Sequence, residues 1–272
     1  MKDVLARIVE ESESQLVARN HMREYLQART LAVLQREGAM VPLAFHGGTA
    51  LRFLYRLPRH SEDLDFALEG EAQALDFQKV VQASEKEFHR EGYDIETKLS
   101  TDRVVLDAWL RFPGLLFELG LSGQREEIFS LKMEVDTNPP SGAGLETTVV
   151  RRHVTLQLHH HDRSSLLAGK IHAILQRNYT KGRDFYDLFW YLSDSGWPGP
   201  NLTLLNNALA QTEWAGPTFT ELNWRAVLRD RVSEIDWKKI HSDVAPFLED
   251  PEEIDLLTRD NLLQLLVRKN LR

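Results

Sequence analysis

The spacing of the apolar residues changes near residue 160. Before that point, segments such as Leu64 to Leu68 alternate apolar and polar residues, which is the period of a half-buried β-strand. After it, apolar residues recur every three or four positions, the period of a helix packed on one side. The sequence therefore predicts an α+β fold, with a lobe of mixed sheet and helices over residues 1–160 and an all-helical lobe over residues 161–272.

Composition excludes several classes of protein. With 272 residues, 42% of them hydrophobic, the chain can bury one large core or two modest ones. It contains no cysteine, which excludes disulfides, cysteine-zinc sites, iron-sulfur clusters and thiol nucleophiles. No segment approaches the roughly 18 apolar residues of a membrane span, and the N-terminus lacks the apolar run of a signal peptide. We therefore expect a cytoplasmic protein with no membrane partner.

The charges are unevenly distributed along the chain. The formal net charge is −8, which disfavours a general nucleic-acid coat. Residues 151–183 nevertheless hold seven basic residues against one acidic residue, a local balance of +6. This stretch is a candidate surface for a polyanion such as RNA, and a solvated basic face is the alternative. The candidate RNA-binding residues are Arg151, Arg152, Arg163, Arg177 and Lys181.

Periodicity and turn residues predict the individual elements. In the first half, a run from Leu115 to Leu119 is expected to join a meandering sheet, and Val149 to Leu158 to form one strand. The segment NPPSGAG, from Asn138 to Gly144, is predicted to be a loop. The predicted helices cover residues 1–37, 74–90, 166–178, 184–192, 203–211, 224–232 and 254–271.

A glycine turn follows a short apolar segment near residue 45. Val41 to Phe45 is predicted to be a buried strand, and Thr49 opens a helical pattern that Pro58 ends. Gly47 and Gly48 would place backbone N–H groups at the positive end of that helix, which suits a phosphate. Because the P-loop lysine is missing, a plain tight turn is the alternative.

Paired acidic residues follow the glycine turn. Asp63 and Asp65 alternate with apolar residues, so both carboxylates project from one face of a strand, about 6 to 7 Å apart. Two like charges at that spacing favour the binding of a cation between them. Mg²⁺ fits, because it prefers oxygen ligands and also binds substrate phosphates. In the segment LKMEVD, Glu134 is predicted to supply a third carboxylate, with Asp136 as the alternative. Two solvated acids at a strand end would be the non-functional interpretation.

Two segments resemble a known family. FHGGTALRFLYRLPRHSEDLDF resembles the first motif of DNA-polymerase-β-type nucleotidyltransferases. LLAGKIHAILQRNYTKGRDFYDLFWYL resembles the later motifs of AbiEii-like toxins, which are nucleotidyltransferases of AbiE-type toxin-antitoxin systems. The resemblance implies a nucleotidyltransferase lobe followed by a helical lobe that completes the active site.

The resemblance also implies roles for individual residues. Asp63 and Asp65 match the metal ligands, and Glu134 stands where the third carboxylate is expected. Lys170 matches an essential lysine, and Asp184 and Asp187 match the acids of an RDxxDL motif. The residues implied to bind the nucleotide are Gly47, Gly48, Thr49, Ser61, Lys170 and Arg183.

Helical geometry gives a second interpretation of the segment LLAGKIHAILQRNYTKGRDFYDLFWYL. On one continuous helix, Arg177 and Lys181 would each lie within about 20° of Lys170, and the three would form a cationic edge. Asp184 as the N-cap and Asp187 in the first turn would stabilise the next helix, which is the structural alternative to a catalytic role.

The function implied is magnesium-dependent transfer of a nucleoside monophosphate from a nucleoside triphosphate to an acceptor. In several members of the family the acceptor is the 3′ end of tRNA, so that translation stops, and a cognate antitoxin restrains the toxin. A protein side chain as acceptor, or a non-catalytic nucleotide-binding module, remain the alternatives.

Overall fold

The computed structural model describes residues 2–71 and 75–267. Its internal contacts divide the chain into two units. The first comprises Met1–Arg56, His60–Pro139 and Thr147–His160, and the second comprises Leu57–Arg59, Pro140–Glu146 and His161–Arg272. In the described residues, no helix is both long and apolar enough to cross a membrane.

The first part of the chain forms five helices and seven strands within the described residues. In chain order these are α1 (Lys2–Glu10), α2 (Gln15–Arg36), β1 (Leu43–His46), α3 (Gly47–Tyr55), β2 (Leu64–Leu68), α4 (Phe77–Arg90), β3 (Glu96–Ser100), β4 (Val105–Phe112), α5 (Leu115–Glu118), β5 (Phe129–Asp136), β6 (Leu145–Arg152) and β7 (Val154–His161).

The strands form one mixed sheet in the order β3-β4-β5-β2-β1-β7-β6. The central strand β2 runs antiparallel to β1 and parallel to β5, and β4 runs antiparallel to β5. This order brings β2 beside β5 although helices and two strands separate them in sequence. Alternate residues of β5 are buried, so the strand has one core face and one polar face.

Aromatic residues fill the core of the first unit. Phe45 of β1 stacks on Phe66 of β2 with ring centroids 5.2 Å apart, and Phe88 of α4 packs edge-on against Phe112 of β4 at 5.1 Å. All four side chains are almost completely buried, and aromatic pairs in these arrangements contribute beyond their buried area. The polar face of the sheet is thereby held on a rigid core.

The second unit is built around α7. Its helices are α6 (Arg163–Gln176), α7 (Gly182–Ser193), α8 (Leu202–Gln211), α9 (Trp224–Ser233), α10 (Trp237–Val244) and α11 (Arg259–Val267), with short 3₁₀ turns over Ala245–Phe247 and Pro251–Leu256. Helix α7 packs against α6, α10 and α11. A Cβ atom at Gly182 would lie 2.5 Å from the Ile240 carbonyl oxygen, so only glycine allows α7 to approach α10 this closely.

Three predictions in the first half were wrong. The single helix expected over residues 1–37 is two helices, because α1 ends at Glu10 and Ser14 caps a new helix, α2, that begins at Gln15.

The run from Leu115 to Leu119 lies in helix α5, because Gly114 and Gly120 on either side adopt left-handed conformations (φ 71° and 68°) and turn the chain out of the sheet. The single strand expected from Val149 to Leu158 is two neighbouring strands, β6 and β7, because His153 between them has φ 59° and reverses the chain.

In the second half, the expected geometry around α6 and α7 was wrong. Helix α6 ends at Gln176, because Arg177 has an extended backbone (ψ 131°), so Lys170, Arg177 and Lys181 do not share one helix. Helix α7 begins at Gly182 with Lys181 as its N-cap. Asp184 therefore lies inside the first turn and is not the N-cap.

The C-terminal helix and α10 also differ from expectation. The helix predicted over residues 254–271 is a 3₁₀ turn followed by the shorter α11, which begins at Arg259, and residues 268–271 lie outside the described residues. The sequence did not reveal α10, because only Ile240 and Val244 of this helix are buried.

Candidate active site

The carboxylates predicted to bind a metal lie on neighbouring strands of the first unit. Asp65 in β2 is directly opposite Glu134 in β5, and directly opposed residues present their side chains on the same face of a sheet. Asp63 lies two residues before Asp65, immediately ahead of β2. All three residues are half-buried. Strand pairing thus brings together two acidic segments that are far apart in sequence.

Strand β4 adds an acid that the sequence analysis missed. Asp107 lies opposite Glu134, so Asp65, Glu134 and Asp107 form a row across three strands, called here the carboxylate row. In the sequence, Asp107 is an ordinary polar position in an alternating strand. Only the register between β4 and β5 could have identified it.

A lysine lies among these acids. The Lys132 Nζ donates to Glu134 Oε1 at 2.6 Å and lies 5.4 Å from the Trp109 ring centre. Burial lowers the pKa of Lys132, but the hydrogen bond and charge of Glu134 and the charges of Asp107 and Asp63 outweigh burial and raise it above its usual value. The acids therefore already attract a cation, the Lys132 ammonium group.

The other candidate for the third carboxylate has different neighbours. Asp136 lies opposite Ala67, and its Oδ1 accepts a hydrogen bond from the Asn138 N–H at 2.9 Å. Its carboxylate thus stabilises the turn that follows β5.

In the described residues, no group of three or more His, Asp or Glu side chains is arranged to hold a metal without rearrangement.

The glycine turn lies against the carboxylate row. His46 is opposite Asp65 in the β1–β2 pair, and Gly47, the next residue, has φ 78°. A Cβ atom at Gly47 would overlap the Asp65 carboxylate. Glycine is therefore required here both by the backbone conformation and by the close approach of Asp65.

We expect Gly47→Ala to be more destabilising than an ordinary glycine substitution. The left-handed backbone alone costs about 1–2 kcal/mol, and displacement of Asp65 adds to it. Gly38→Ala is the matched control, since Gly38 has a similar φ of 75° but nothing within 4 Å of the added atom. Urea denaturation should show the larger loss of unfolding free energy for Gly47→Ala, and equal losses would contradict the close approach.

Other residues expected to bind the nucleotide lie in or next to hydrogen bonds that join α2 and the start of α3 to the segment that ends at Asp63. Thr49 is buried in the first turn of α3, and its hydroxyl donates to the Asp63 carbonyl oxygen. The buried Gln27 amide donates to the backbone carbonyls of Ser61 (3.0 Å) and Glu62 (3.1 Å). Gly48 is buried beside Thr49. These contacts hold the segment that leads into Asp63 in one conformation.

The second unit contains a group of five charged side chains among its described residues, called here the buried charge network. Lys170 Nζ lies 2.7 Å from Asp187 Oδ2 and 3.1 Å from Asp184 Oδ1. Arg177 Nε lies 3.1 Å from Asp184 Oδ2. Arg59 donates twice to Asp187, from Nε to Oδ1 at 2.6 Å and from Nη2 to Oδ2 at 2.5 Å. Arg59, which immediately precedes the HSEDLDF segment, was not among the residues predicted from the sequence.

The network holds Lys170 and Asp187 in their charged forms. Burial lowers the pKa of Lys170, but the charges of Asp187 and Asp184 outweigh burial and raise it. Burial raises the pKa of Asp187, but Arg59 and Lys170 outweigh burial and hold it below its usual value. At neutral pH, Lys170 is therefore a cation and Asp187 an anion, so neither is suited to general acid–base catalysis there.

The remaining basic candidates have varied surroundings. The Arg183 guanidinium lies 4.1 Å from the Phe247 ring centre, and the Arg183 backbone N–H donates to the Asp243 carboxylate at 3.3 Å. Arg163 lies 4.9 Å from the Trp197 ring centre. Lys181 precedes α7, and burial and then the charge of Arg183 lower its pKa.

In the first unit, the two adjacent arginines of β6 differ. Arg151 is exposed. Arg152 is bound to Glu24, with Nε at 2.6 Å from Oε1, so its charge is balanced within the protein.

Glu24 is the centre of a second buried group of charges. The residue is 6% exposed, and its carboxylate accepts from Arg52 and Arg152, with His153 Nε2 at 3.2 Å and His60 Nδ1 at 3.5 Å. Burial raises the pKa of Glu24, but its hydrogen bonds with His153, His60 and Arg152 and the charge of Arg52 lower it well below its usual range. Glu24 carried no distinctive sequence signal, because it stands among other polar and charged residues of α2, such as His21, Arg23 and Gln27.

Two solved protein structures have a similar fold. A Helicobacter pylori protein assigned to the nucleotidyltransferases is similar with a TM-score of 0.54 and 19% identity, over 90% of this chain and 91% of that chain. JHP933 from Helicobacter pylori is similar with a TM-score of 0.53 and 19% identity, over 94% and 91%. No curated protein matches the sequence significantly.

A family profile matches most of the chain. The profile describes the nucleotidyl transferase AbiEii toxin of Type IV toxin-antitoxin systems and matches residues 29–260. That range includes the carboxylate row, the glycine turn and the buried charge network. The chain therefore belongs to the AbiEii nucleotidyltransferase toxin family.

Proposed function

We propose that the protein transfers a nucleoside monophosphate from a nucleoside triphosphate to the 3′ end of tRNA, with Mg²⁺ as cofactor. The observation that carries the proposal is the register of β2 and β5, which puts Asp65 beside Glu134, two residues from Asp63 and next to the Gly47 turn. We place this activity in the cytoplasm, where it would act as the toxin of a toxin-antitoxin pair. A cognate antitoxin would counteract it.

The residues present fit Mg²⁺. Asp63, Asp65 and Glu134 offer the hard carboxylate oxygens that this ion prefers, and Lys132 shows that the acids attract a cation. Glu134 would exchange the Lys132 ammonium group for the metal. The bound ion would lower the pKa of the acceptor hydroxyl and offset the charge of the triphosphate.

Backbone and cationic groups would hold the triphosphate. Helix α3 begins at Gly47, so the N–H groups and the positive dipole end of its first turn can meet a phosphate. Lys170 and Arg183 are proposed to contribute positive charge, as the family resemblance implies. Since Lys170 remains protonated, its part is electrostatic: it offsets the charge that builds up on the leaving pyrophosphate.

The acceptor would meet basic side chains of residues 151–183. Arg151, Arg163, Arg177 and Lys181 are the candidates for contact with RNA phosphates. Arg152 is the weaker candidate, because Glu24 already balances its charge.

The test incubates the purified protein with total tRNA, Mg²⁺ and each α-labelled nucleoside triphosphate in turn. We expect label on tRNA from at least one nucleotide, because the α-phosphate is transferred with the nucleoside. Periodate-oxidised tRNA, which lacks a free 3′ diol, is the matched control and should take up no label. Equal labelling of the oxidised tRNA would contradict the 3′ end as acceptor.

Metal removal gives a further prediction. EDTA should reduce labelling to background, because the carboxylates then repel the triphosphate, and excess Mg²⁺ should restore it. Activity that persists in EDTA would contradict the metal assignment.

If tRNA stays unlabelled, the assay is repeated in a whole lysate. Label that resists ribonuclease but not protease would indicate a protein acceptor, and nucleotide binding without any transfer would indicate a non-catalytic module.

A further inference from the structure

The buried charge network contains one more positive charge than negative charge. Its cations are Arg59, Lys170 and Arg177, and its anions are Asp184 and Asp187. Burying charge is expensive unless it is paired. The Arg177 side chain is 33% exposed, so solvent offsets part of its charge, and the enclosed members of the network are Arg59, Lys170, Asp184 and Asp187.

Arg59 and Asp187 form the most enclosed pair of the network. Arg59 is 2% exposed and Asp187 1% exposed. Both carboxylate oxygens of Asp187 accept from Arg59, which fixes the orientation of the carboxylate, and the backbone of Arg59 forms a β-bridge with Leu248. Two parallel N–H···O bonds of this kind are the strongest and most directional form of ion pair.

This pairing decides how the remaining charges are shared. Asp187 is shared by Arg59 and Lys170, and Asp184 is shared by Lys170 and Arg177, so neither carboxylate is spent on Lys170 alone. The Lys170 side chain is 14% exposed, which lies between 2% for Arg59 and 33% for Arg177. Lys170 is thus the cation of this group that is both precisely held, by Asp184 and Asp187, and not fully neutralised.

We propose that Arg59 is a positioning residue that offsets the charge of Asp187 and so leaves the charge of Lys170 available to the triphosphate of the nucleotide. This inference rests on the proposed function, in which Lys170 contacts the triphosphate. Without Arg59, Asp187 has Lys170 as its only cationic partner in the network, and the net charge of the network falls from +1 to zero.

The test compares Arg59→Met with the double variant Arg59→Met/Asp187→Asn. In the single variant, Lys170 is neutralised by Asp187, and we expect kcat/KM for transfer and the affinity for inorganic tripolyphosphate each to fall at least about tenfold. The double variant removes one charge of each sign and returns the network to +1. The amide oxygen introduced by Asp187→Asn can still accept from Lys170, so we expect at least about a fivefold recovery over Arg59→Met in both measurements.

Tripolyphosphate binding by calorimetry, with Mg²⁺ present and no tRNA, separates this inference from the proposed function. If wild-type protein labels no tRNA but binds tripolyphosphate, and binding follows the predicted order of variants, the proposed function fails and the role of Arg59 stands. If Arg59→Met binds like wild type, or the double variant binds no better than Arg59→Met, the role of Arg59 is wrong.

Stability is controlled with a second buried arginine. The Arg29 side chain in the first unit is 11% exposed and pairs with Glu91, so Arg29→Met removes a comparable ion pair without touching the network. We expect Arg29→Met to be destabilised but to keep wild-type affinity for tripolyphosphate. An equal loss of affinity in Arg29→Met and Arg59→Met would show that Arg59 acts only through stability.

If Arg59→Met fails to fold, the double variant, which leaves position 187 neutral, decides alone. Binding within about threefold of wild type supports the proposal, and loss of binding overturns it.

Discussion

Asp65→Asn should abolish nucleotide transfer while leaving the protein folded. Asn has the size of Asp and fits beside Gly47. It removes one of the two negative charges with which Asp65 and Glu134 would bind the metal. We expect transfer to tRNA to fall by at least about a thousandfold, the scale of losing a charge-stabilising group in phosphoryl transfer. Single-turnover labelling measures the rate, and circular dichroism with thermal unfolding measures the fold.

Two further variants decide which acid completes the site. Glu134→Gln should lower the transfer rate in the same way, because Glu134 lies opposite Asp65. Asp136→Asn should have a much smaller effect, because Asp136 is bound to the backbone of Asn138. The reverse order would assign Asp136 as the third carboxylate. An Asp65→Asn protein that keeps more than about a tenth of wild-type activity would contradict the metal site itself.

Glu24→Gln should strongly destabilise the first unit. It removes the charge that balances the buried Arg52 and also Arg152. Breaking a buried ion pair by removing one partner costs about 3–5 kcal/mol. Guanidinium denaturation should therefore show a reduced unfolding free energy of this size.

An exposed ion pair provides the control for Glu24. Glu118 pairs with Lys2, with side chains 50% and 33% exposed, and Glu118→Gln should cost less than about 1 kcal/mol. If Glu24→Gln is no more destabilising than Glu118→Gln, the four groups around Glu24 do not depend on its charge.

The contribution of Glu24 should also depend on pH. Its pKa in the folded protein lies well below the ordinary value of 4.5, so below pH 4.5 the unfolded chain takes up a proton that the folded chain does not. The contribution is therefore complete at neutral pH and declines as the pH falls below about 4.5. The difference in unfolding free energy between wild type and Glu24→Gln should shrink over that range.

Much of the fold could be predicted because it depends on local patterns. Alternation of apolar and polar residues marked β2 and β5, and it placed Asp63 and Asp65 on one face before any strand pairing was known. The helical period marked α6 to α9, and the family resemblance pointed to Lys170, Asp184 and Asp187. Errors arose where a single backbone conformation decided the outcome, as at His153 and Gly114.

What the sequence by itself determined was the order of most elements, the polar faces of β2 and β5 and the residue types available for chemistry. Only the tertiary structure decided which of these residues meet: Asp107 opposite Glu134, Arg59 on Asp187, and the four partners of Glu24. The physical reason is that strand register and buried ion pairs join residues far apart in the chain. Their energy depends on distance and burial, and a one-dimensional pattern contains neither.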